Sequence, residues 1–240
     1  MEGILLDRIN FSYGNGNAVK DFSLAAARGE FIALMGPNAA GKSTLLKLAC
    51  GILKPSSGAV KLSGRDLSAY APKERARLIS YLPQTPDVNI PFRVRELVDM
   101  GLYHGGGMEP EEALRAAGLL EKASSHITEL SGGERKRAFV AMLLVQGSSI
   151  FLLDEPLANL DMKYQIELIR LLKGIIEGKN ISVIMALHDI NMAFHFHRVC
   201  VVKDGLMRAL GKPEEVITKG LIRDVFEVEA EEFPGLRLKP

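Results

Sequence analysis

The chain has 240 residues, of which 47% are hydrophobic and 25% are charged, an ordinary balance for a globular protein with an ample core. Its formal net charge of +1 creates no strong field for nucleic acid, so we expect no nucleic-acid partner. Cys50 and Cys200 stand in separate apolar segments, which indicates buried free thiols and argues against a disulfide framework. The apolar runs are too short to span a bilayer, so we expect a cytoplasmic protein that reaches a membrane only through a partner.

Short apolar runs alternate with amphipathic stretches along most of the chain, which predicts an α/β protein with a largely parallel sheet. The first 35 residues predict a β-meander with strands at 3–9, 22–27 and 31–35 and glycines in the turns. The next expected elements are strands at Ala59–Leu62 and Ile79–Leu82, with a short helix at Pro72–Arg77 between them.

The pattern changes to helical spacing from about residue 86, and no β-rich run interrupts it for some sixty positions. Helices are expected at Val94–Met100 and Pro110–Leu120, with a glycine cluster at 105–107 between them. The expected plan is a single domain, 1–240, with an α/β core at 1–85 and 146–240 and a helical insertion at 86–145.

The α/β pattern returns after the insertion. Residues 149–156, "SIFLLDEP", and 181–187, "ISVIMAL", predict two buried strands, and the apolar spacing of 164–176 predicts a helix between them. The last expected element is a hairpin of residues 199–205 and 206–210 that turns at Asp204-Gly205.

The segment "GPNAAGKST", Gly36–Thr44, lies between an apolar run and a helical run. It fits the pattern G-x-x-x-x-G-K-[ST], in which backbone N–H groups at a helix start converge on phosphate oxygens. Lys42 would add a charge for the β- and γ-phosphates, and Ser43 would offer an oxygen to Mg²⁺. A purely structural turn does not need a lysine followed by a hydroxyl. The expected phosphate-binding residues are Gly36, Pro37, Asn38, Ala39, Ala40, Gly41, Lys42, Ser43 and Thr44.

An acidic pair, Asp154 and Glu155, ends the apolar run of "IFLLDEP". An aspartate at the carboxyl end of a strand can hold Mg²⁺ through water, at the sheet edge that carries the phosphate loop. The adjacent glutamate can polarise an attacking water as a general base. Acids after apolar strands are common in ordinary turns, so the pair is informative only together with the loop upstream.

The segment "LSGGE", Leu130–Glu134, leads into the helical run "RKRAFVAMLLV". A serine and two glycines at a helix start can form a second anion site. A simpler interpretation is an N-cap, with a capping box between Ser131 and Glu134. The capping box does not account for two consecutive glycines, Gly132 and Gly133.

These segments together resemble one family, the ATP-binding subunits of ABC transporters, over essentially residues 1–226. "GPNAAGKST" is similar to their Walker A motif, "IFLLDEP" to Walker B, and "LSGGE" to the signature motif, which is nearly unique to them. The resemblance implies an ATP hydrolase with a P-loop NTPase (RecA-like), mostly parallel sheet core, an N-terminal antiparallel β subdomain and a helical insertion. It also implies an ATP-dependent, head-to-tail homodimer, in which each ATP lies between Walker A of one subunit and the signature of the other.

Further residues match family motifs in the family's order. Tyr13 is similar to the aromatic that stacks on adenine, Gln84 to the glutamine that senses Mg²⁺ and the membrane partner, and His188 to the histidine that contacts γ-phosphate. Asp161 in "NLD" is similar to the loop that crosses to the other subunit. Taken singly, each has a simpler explanation as a turn aromatic, a surface amide, a polar residue at a strand end or a helix cap.

The resemblance implies three kinds of site residue. Those with catalytic roles are Glu155, His188 and Gln84. Those that bind Mg²⁺ are Ser43, Gln84 and Asp154. Those that bind ATP are Tyr13, Ser131, Gly132, Gly133 and Asp161, together with the phosphate-loop residues named above.

Four positions depart from the family pattern, and none of them removes a catalytic group. Ala39 stands where glycine is usual, and a left-handed backbone at that position would cost alanine about 1 kcal/mol. Lys136 stands where glutamine is usual. Met142 replaces a common arginine, and Leu157 replaces a threonine or serine.

Two stretches, Val94–His104 and Leu160–Leu172, resemble the importer ATPases for iron–siderophore, haem and cobalamin. That branch implies transmembrane permease subunits and a substrate-binding protein that acts through them. It also implies a peripheral location on the inner face of the cell membrane. The transported substrate itself contacts the partners rather than this subunit.

The permease is expected to dock on a surface around Gln84, Phe92 and Val94. Phe92 follows Pro91 in a segment that is expected to be exposed, and an exposed aromatic is a suitable anchor for a partner helix. The simpler interpretation is that Phe92 packs the helical insertion onto the core.

One alternative function stays open at this point. A soluble ABC ATPase of iron–sulfur cluster assembly has a similar size and would bind soluble partners instead of a permease. ABC ATPases of DNA repair carry long coiled-coil arms, for which this chain has no room. A kinase or GTPase would share the phosphate loop but would not explain "LSGGE".

Overall fold

The computed structural model describes residues 2–14, 16–86, 92–103 and 106–231. It contains two β-sheets. The smaller sheet is antiparallel, with the strand order β2-β1-β4-β5. Its strands are β1 (Glu2–Tyr13), β2 (Gly16–Ala27), β4 (Ser57–Leu62) and β5 (Arg65–Asp66). The expected N-terminal antiparallel β subdomain is therefore present.

The larger sheet has six strands in the order β10-β9-β3-β8-β7-β6. All neighbouring pairs are parallel except β9 and β10, which form the hairpin expected from Asp204-Gly205. Both turn residues have positive φ, +56° and +75° respectively, as a tight two-residue turn requires. The strands are β3 (Phe31–Met35), β6 (Ile79–Leu82), β7 (Ile150–Leu153), β8 (Ser182–Leu187), β9 (Arg198–Lys203) and β10 (Leu206–Gly211).

The expected three-strand meander at the N-terminus is wrong in its third strand. β1 and β2 pair with each other, but β3 lies in the larger sheet between β8 and β9. Every residue of β3 is buried, whereas residues 21–27 of β2 alternate between exposed and buried. A continuous apolar run fits a parallel strand covered on both faces, and an alternating run fits an antiparallel strand covered on one.

Nine α-helices and four short 3₁₀ turns complete the part of the chain that is described. The helices are α1 (Lys42–Ala49), α2 (Pro72–Leu78), α3 (Val94–Asp99), α4 (Pro110–Ala116), α5 (Gly132–Gln146), α6 (Met162–Lys179), α7 (Ile190–Ala193), α8 (Pro213–Val216) and α9 (Lys219–Phe226). The 3₁₀ turns are Leu67–Ala69, Met100–Tyr103, Leu120–Lys122 and Ile127–Glu129.

Helices α3, α4 and α5 lie in the chain between β6 and β7, where the sequence predicts the helical insertion. The only β-pairing among the described residues of this stretch is an isolated bridge between Arg93 and His126. The domain boundaries themselves stay a prediction. Pro91, His104 and Gly105, which enter the sequence-based predictions, lie outside the described residues.

The larger sheet is covered on both faces by separate apolar clusters. Alternate residues of β3 enter different clusters, because successive side chains of a strand point to opposite faces. Phe31, Ala33 and Met35 pack with residues of α3, α5 and α6. Ile32 and Leu34 pack with α1 and the antiparallel sheet. This arrangement fixes the end of β3 between the two layers, where the phosphate loop begins.

Both cysteines are free thiols, as expected. Cys200 is buried in β9, and burial raises the pKa of its thiol to about 12. Cys50 is only half-buried, at the end of α1, so the expectation of burial is correct for Cys200 alone. None of the helices in the described part of the chain has the length and apolarity needed to cross a membrane.

Candidate functional site

The phosphate loop joins the end of β3 to the start of α1, as the sequence predicts. Gly36 and Gly41 have φ of +153° and +105°, a range that L side chains rarely adopt. A Cβ on Gly36 would lie 2.1 Å from the Val202 carbonyl oxygen, and one on Gly41 would lie 2.6 Å from the Ala18 carbonyl oxygen. Both glycines are therefore required by backbone conformation and by the close approach of neighbouring chain.

Ala39 also has a left-handed backbone, with φ of +61°. The cost expected for alanine at a left-handed position therefore applies here. Alanine bears about 1 kcal/mol of strain in this region, because its Cβ approaches the following carbonyl. The loop thus keeps its shape at a small cost in stability.

Lys42 opens α1 and folds its side chain back over the loop. Its Nζ donates hydrogen bonds to the carbonyl oxygens of Gly36, at 2.8 Å, and Pro37, at 3.0 Å. Burial lowers the pKa of Lys42, and the carboxylates of Glu155 and Asp154 oppose that shift. The ammonium group is thus held at the loop's centre, beside two acidic groups from another strand.

Ser43 and Asp154 meet across the boundary between α1 and β7. The Ser43 hydroxyl donates to Asp154 Oδ1 at 3.1 Å, and the Tyr81 hydroxyl donates to Asp154 Oδ2 at 3.4 Å. Burial raises the pKa of Asp154, and the hydrogen bond from Ser43 opposes that rise. The hydroxyl and the carboxylate are hard oxygen ligands, which fit Mg²⁺ held partly by substrate phosphates.

No group of three or more His, Cys, Asp or Glu that could hold a metal occurs among the described residues. A metal at Ser43 and Asp154 would therefore need further ligands from water or a bound phosphate. That is how Mg²⁺ is usually held in nucleotide-hydrolysing sites, because it keeps several waters and takes one or two carboxylates.

Tyr81 is a site residue that the sequence analysis missed. It lies in β6, where its register partner is Leu152 of β7, so its hydroxyl reaches the carboxylate at the end of β7. Burial raises the pKa of Tyr81, which keeps the phenol protonated and able to donate. Its place immediately before "LPQ" at a strand end was the available signal.

The three predicted catalytic residues lie in contact, with Glu155 between the other two. Gln84 Nε2 donates to Glu155 Oε2 at 2.5 Å, and His188 Nε2 contacts Glu155 Oε1. The glutamate is only 8% exposed, whereas Gln84 and His188 are exposed. The three side chains follow β6, β7 and β8, whose carboxyl ends are neighbours because these strands are parallel and adjacent.

A cleft of about 540 Å³ lies over the loop. Tyr13 is 54% exposed at its rim, where the ring meets Phe11 edge-on with 4.8 Å between centroids. The cleft thus combines a phosphate loop, an exposed aromatic and a buried acid. Its lining residues are Tyr13, Ala18, Asn38, Ala39, Ala40, Gly41, Lys42, Ser43, Thr44, Gln84 and Glu155.

The signature segment does not reach this cleft within the chain. Ser131 is exposed and caps α5, because its Oγ accepts from Glu134 N at 3.2 Å while Glu134 Oε2 accepts from Ser131 N at 3.0 Å. The capping box is therefore confirmed. None of Ser131, Gly132, Gly133 and Asp161, all described, lines the cleft over the loop. Asp161 stands at the N-cap of α6 without a capping hydrogen bond from its side chain.

The expected docking surface is wrong at Val94, and the expected exposure of Phe92 is wrong as well. Val94 is fully buried at the start of α3, where it packs with the helices of the insertion, so it cannot contact a partner. Phe92 is half-buried rather than exposed, and its carbonyl accepts from Ile127 N at 2.8 Å. Gln84 is exposed. Apolar character alone does not separate a docking anchor from a residue that packs the first turn of a helix.

Residues 19–158, which include the phosphate loop, the serine–glycine segment and the acidic pair, match the family described as ABC transporter. The chain belongs to the ABC transporter family. It is an ATP-binding subunit and an ATPase of that family. The match covers more than half of the chain, which is why the assignment does not depend on the short motifs alone.

Relatives of this ATP-binding subunit align with it over nearly the whole chain. The hemin import ATP-binding protein of Rhodopseudomonas palustris is 41% identical over 235 residues, which cover 92% of this chain and 89% of the relative. The iron(3+)-hydroxamate import ATP-binding protein of Bacillus subtilis is 34% identical over 242 residues, which cover 96% and 90%.

Solved structures share the fold. The cbiO1 protein of Clostridium perfringens, part of an ABC transporter complex, superposes with a TM-score of 0.80 at 29% identity and covers 93% of both chains. The ATP-binding cassette MJ0796, solved as a dimer bound to ADP and phosphate, has a TM-score of 0.78 at 27% identity. That comparison covers 88% of this chain and 98% of MJ0796.

Proposed function

We propose that this ATPase powers the import of a metal chelate of the hemin or iron–siderophore kind. The proposal is supported by relatives whose names specify import of hemin and of iron(3+)-hydroxamate, and which align with most of this chain. These relatives lend no support to the alternative role in iron–sulfur cluster assembly. The subunit would act with transmembrane permease partners and with a substrate-binding protein that delivers the chelate to them.

Glu155 is the proposed general base. The single observation that carries this role is its carboxylate, buried at the edge of the cleft and held between Gln84 and His188. A carboxylate in that position can take a proton from water that attacks the γ-phosphate. Gln84 and His188 orient the carboxylate, and His188 is also proposed to contact the γ-phosphate.

The phosphate loop is proposed to bind the nucleotide. Its backbone N–H groups and Lys42 would take the phosphates, since the start of α1 and the ammonium group both favour anions. Tyr13 would stack on adenine from the rim. The other residues proposed to contact ATP are Gly36, Pro37, Asn38, Ala39, Ala40, Gly41, Ser43 and Thr44.

Ser43, Asp154 and Gln84 are proposed to hold Mg²⁺, the first two through oxygens that already lie 3.1 Å apart. The bound ion would neutralise charge on the β- and γ-phosphate oxygens. Tyr81 donates to the second oxygen of Asp154 and so restricts the rotation of that carboxylate.

A second copy of the chain is proposed to close the cleft. Ser131, Gly132, Gly133 and Asp161 are described but lie outside the cleft, so a head-to-tail homodimer would bring them onto the ATP of the other subunit. Enclosing the γ-phosphate from two sides would exclude bulk water and fix the attacking molecule. Closure on ATP would then move a permease docked near Gln84, with the subunit peripheral to the inner face of the membrane.

Reconstitution tests the transport proposal. The chain and the membrane protein that co-purifies with it are placed in proteoliposomes with hemin or a ferric siderophore in the external solution. We expect ATP-dependent accumulation of one chelate, lost in Glu155→Gln and kept in Glu177→Gln, which alters an exposed acid of α6. Association only with soluble cluster-assembly proteins, and no accumulation, would support the alternative function instead.

A further inference from the structure

Lys136 lies in the second turn of α5, at the position where the family usually has glutamine. Its side chain does not reach the cleft over the phosphate loop. Instead, Lys136 Nζ donates to two backbone carbonyl oxygens in the turn after β7, those of Glu155 at 3.0 Å and Ala158 at 2.6 Å. Burial lowers the pKa of Lys136, and the charge of Glu155 opposes that shift.

The turn that accepts the hydrogen bonds of Lys136 has a strained backbone at Glu155. This residue has φ of +50°, a left-handed conformation that costs a non-glycine residue about 1–3 kcal/mol and persists only where the surroundings enforce it. Asn159, at the other end of the turn, has φ of +61°. The direction of the Glu155 side chain depends directly on this backbone, because φ sets where the Cα–Cβ bond points.

Polar contacts rather than close packing hold the turn on one side. A cavity of about 180 Å³ borders it, lined in part by Glu155, Leu157 and Ala158. Gln165 of α6 donates to the Leu157 carbonyl at 3.2 Å, and the Ala158 N–H donates to the Glu155 carbonyl at 3.2 Å. Among the described residues, Lys136 supplies the two other side-chain hydrogen bonds to backbone carbonyls of the turn, and it does so from a different helix.

We propose that Lys136 is a positioning residue for ATP hydrolysis, which holds the turn from Glu155 to Ala158 and thereby sets the place of the Glu155 carboxylate. The inference rests on the proposed role of Glu155 as general base. It assigns to Lys136 an effect on the chemical step and none on nucleotide binding. It also links the base to α5, the helix that Ser131 caps.

The test is Lys136→Met in the full chain, which keeps the length and apolar stem of the side chain but removes every donor. We expect kcat to fall by about tenfold to 10²-fold, because a small displacement of a reacting group has effects of this size. The KM for ATP and the thermal midpoint should stay near those of the wild type. Lys136→Gln restores a donor group, the side-chain NH₂, and should recover part of kcat. Lys163→Met, at a lysine of α6 whose side chain is 75% exposed, is the matched control and should be unchanged.

A double variant distinguishes this inference from the function on which it rests. If Lys136 acts through Glu155, adding Lys136→Met to Glu155→Gln should not lower the residual single-turnover rate further, since residues that act as a unit are not additive. An additive loss, an unchanged kcat in Lys136→Met, or a parallel loss of ATP binding and thermal stability in both Lys136 variants would overturn the positioning role. Wild-type hydrolysis in Glu155→Gln alone would instead overturn the base assignment.

Discussion

Two segments of this protein place glycines at the start of a helix, and the structure builds them differently. In Gly36–Thr44 the glycines have positive φ and would clash with backbone carbonyls if they carried a Cβ. In Ser131–Gly133 a Cβ on Gly132 would meet nothing within 4 Å, and one on Gly133 would meet only a methyl group of Leu160. The first segment needs its glycines for its own fold. The described part of the chain gives Gly132 no such reason, which agrees with a partner copy that approaches there.

The two segments also differ in how completely their polar groups are paired. Around the phosphate loop, Lys42 and Asp154 are buried and hydrogen-bonded to neighbours. Ser131 is exposed, and its hydroxyl is used by the capping box of its own helix. One half of the proposed composite site is therefore preorganised within a single chain, while the other half presents a helix start to solvent. Substitutions in the two halves should therefore impair different steps.

The largest effect is expected from Glu155→Gln, in the preorganised half. The amide keeps the shape of the side chain and loses the base, so hydrolysis should fall on the order of 10²–10⁴-fold while ATP remains bound. Phosphate release and the dissociation constant of ATP measure the two effects separately. Lys42→Ala should instead weaken nucleotide binding itself. Phosphate release at the wild-type rate from Glu155→Gln would show that another group is the base.

A loss of about 10²-fold in hydrolysis is expected from Ser131→Arg, in the exposed half. A bulky charge should block closure by a second copy, while the monomer binds ATP with near-normal affinity. In a Glu155→Gln background the variant should fail to form an ATP-dependent dimer, which gel filtration or light scattering detects.

Ser131→Arg also removes an N-cap, which is typically worth about 1 kcal/mol. Thr218→Ala is the control, because it removes from α9 a capping hydrogen bond of the same length, 3.2 Å, as the one that Ser131 accepts. The control should dimerise normally. If Ser131→Arg leaves dimerisation of the Glu155→Gln protein intact, the closing surface is not built from this segment.

A smaller effect is expected at the rim of the cleft. Tyr13→Ala should raise the Kd for ATP about tenfold, since stacking on a base contributes about 1–3 kcal/mol. Tyr13→Phe should be mild, because the ring provides the contact and the hydroxyl does not. GTP should be accepted to some extent. Tyr103→Ala, at another exposed tyrosine outside the cleft, should leave the Kd unchanged. Equal ATP affinity in wild type and Tyr13→Ala would remove Tyr13 from the binding site.

The smallest effect is expected from Ala39→Gly, which relieves the left-handed alanine. The gain should be no more than about 1 kcal/mol, or about 2–4 °C in Tm for a chain of this size. Ala40→Gly, at a neighbouring alanine whose φ is not positive, should lower Tm instead. Calorimetry measures the sign of the change in Tm for both variants. A lower Tm in Ala39→Gly would show that the methyl group stabilises the loop by more than the backbone strain destabilises it.

Much of the site could be predicted because it is local in the chain. The phosphate loop, the capping box at Ser131 and the acidic pair after β7 each depend on a few consecutive residues. The hairpin at Asp204-Gly205 is equally local, and it was placed correctly. The resemblance implied catalytic roles for Gln84 and His188, but their contacts with Glu155 were not predicted.

The amino-acid sequence by itself determined nine of the ten described strands, all but β5. It also determined where the glycines must bend the chain and which family the chain resembles, since these depend on short-range patterns. Only the tertiary structure decided that β3 leaves the first hairpin for the parallel sheet, because that choice rests on burial of both strand faces. It also decided that Val94 is buried. It decided as well that Lys136 reaches the turn after β7 and that Tyr81 reaches the carboxylate of Asp154. Each of these contacts joins residues distant in the chain, and a long side chain reveals its partner only once the helices and strands have packed.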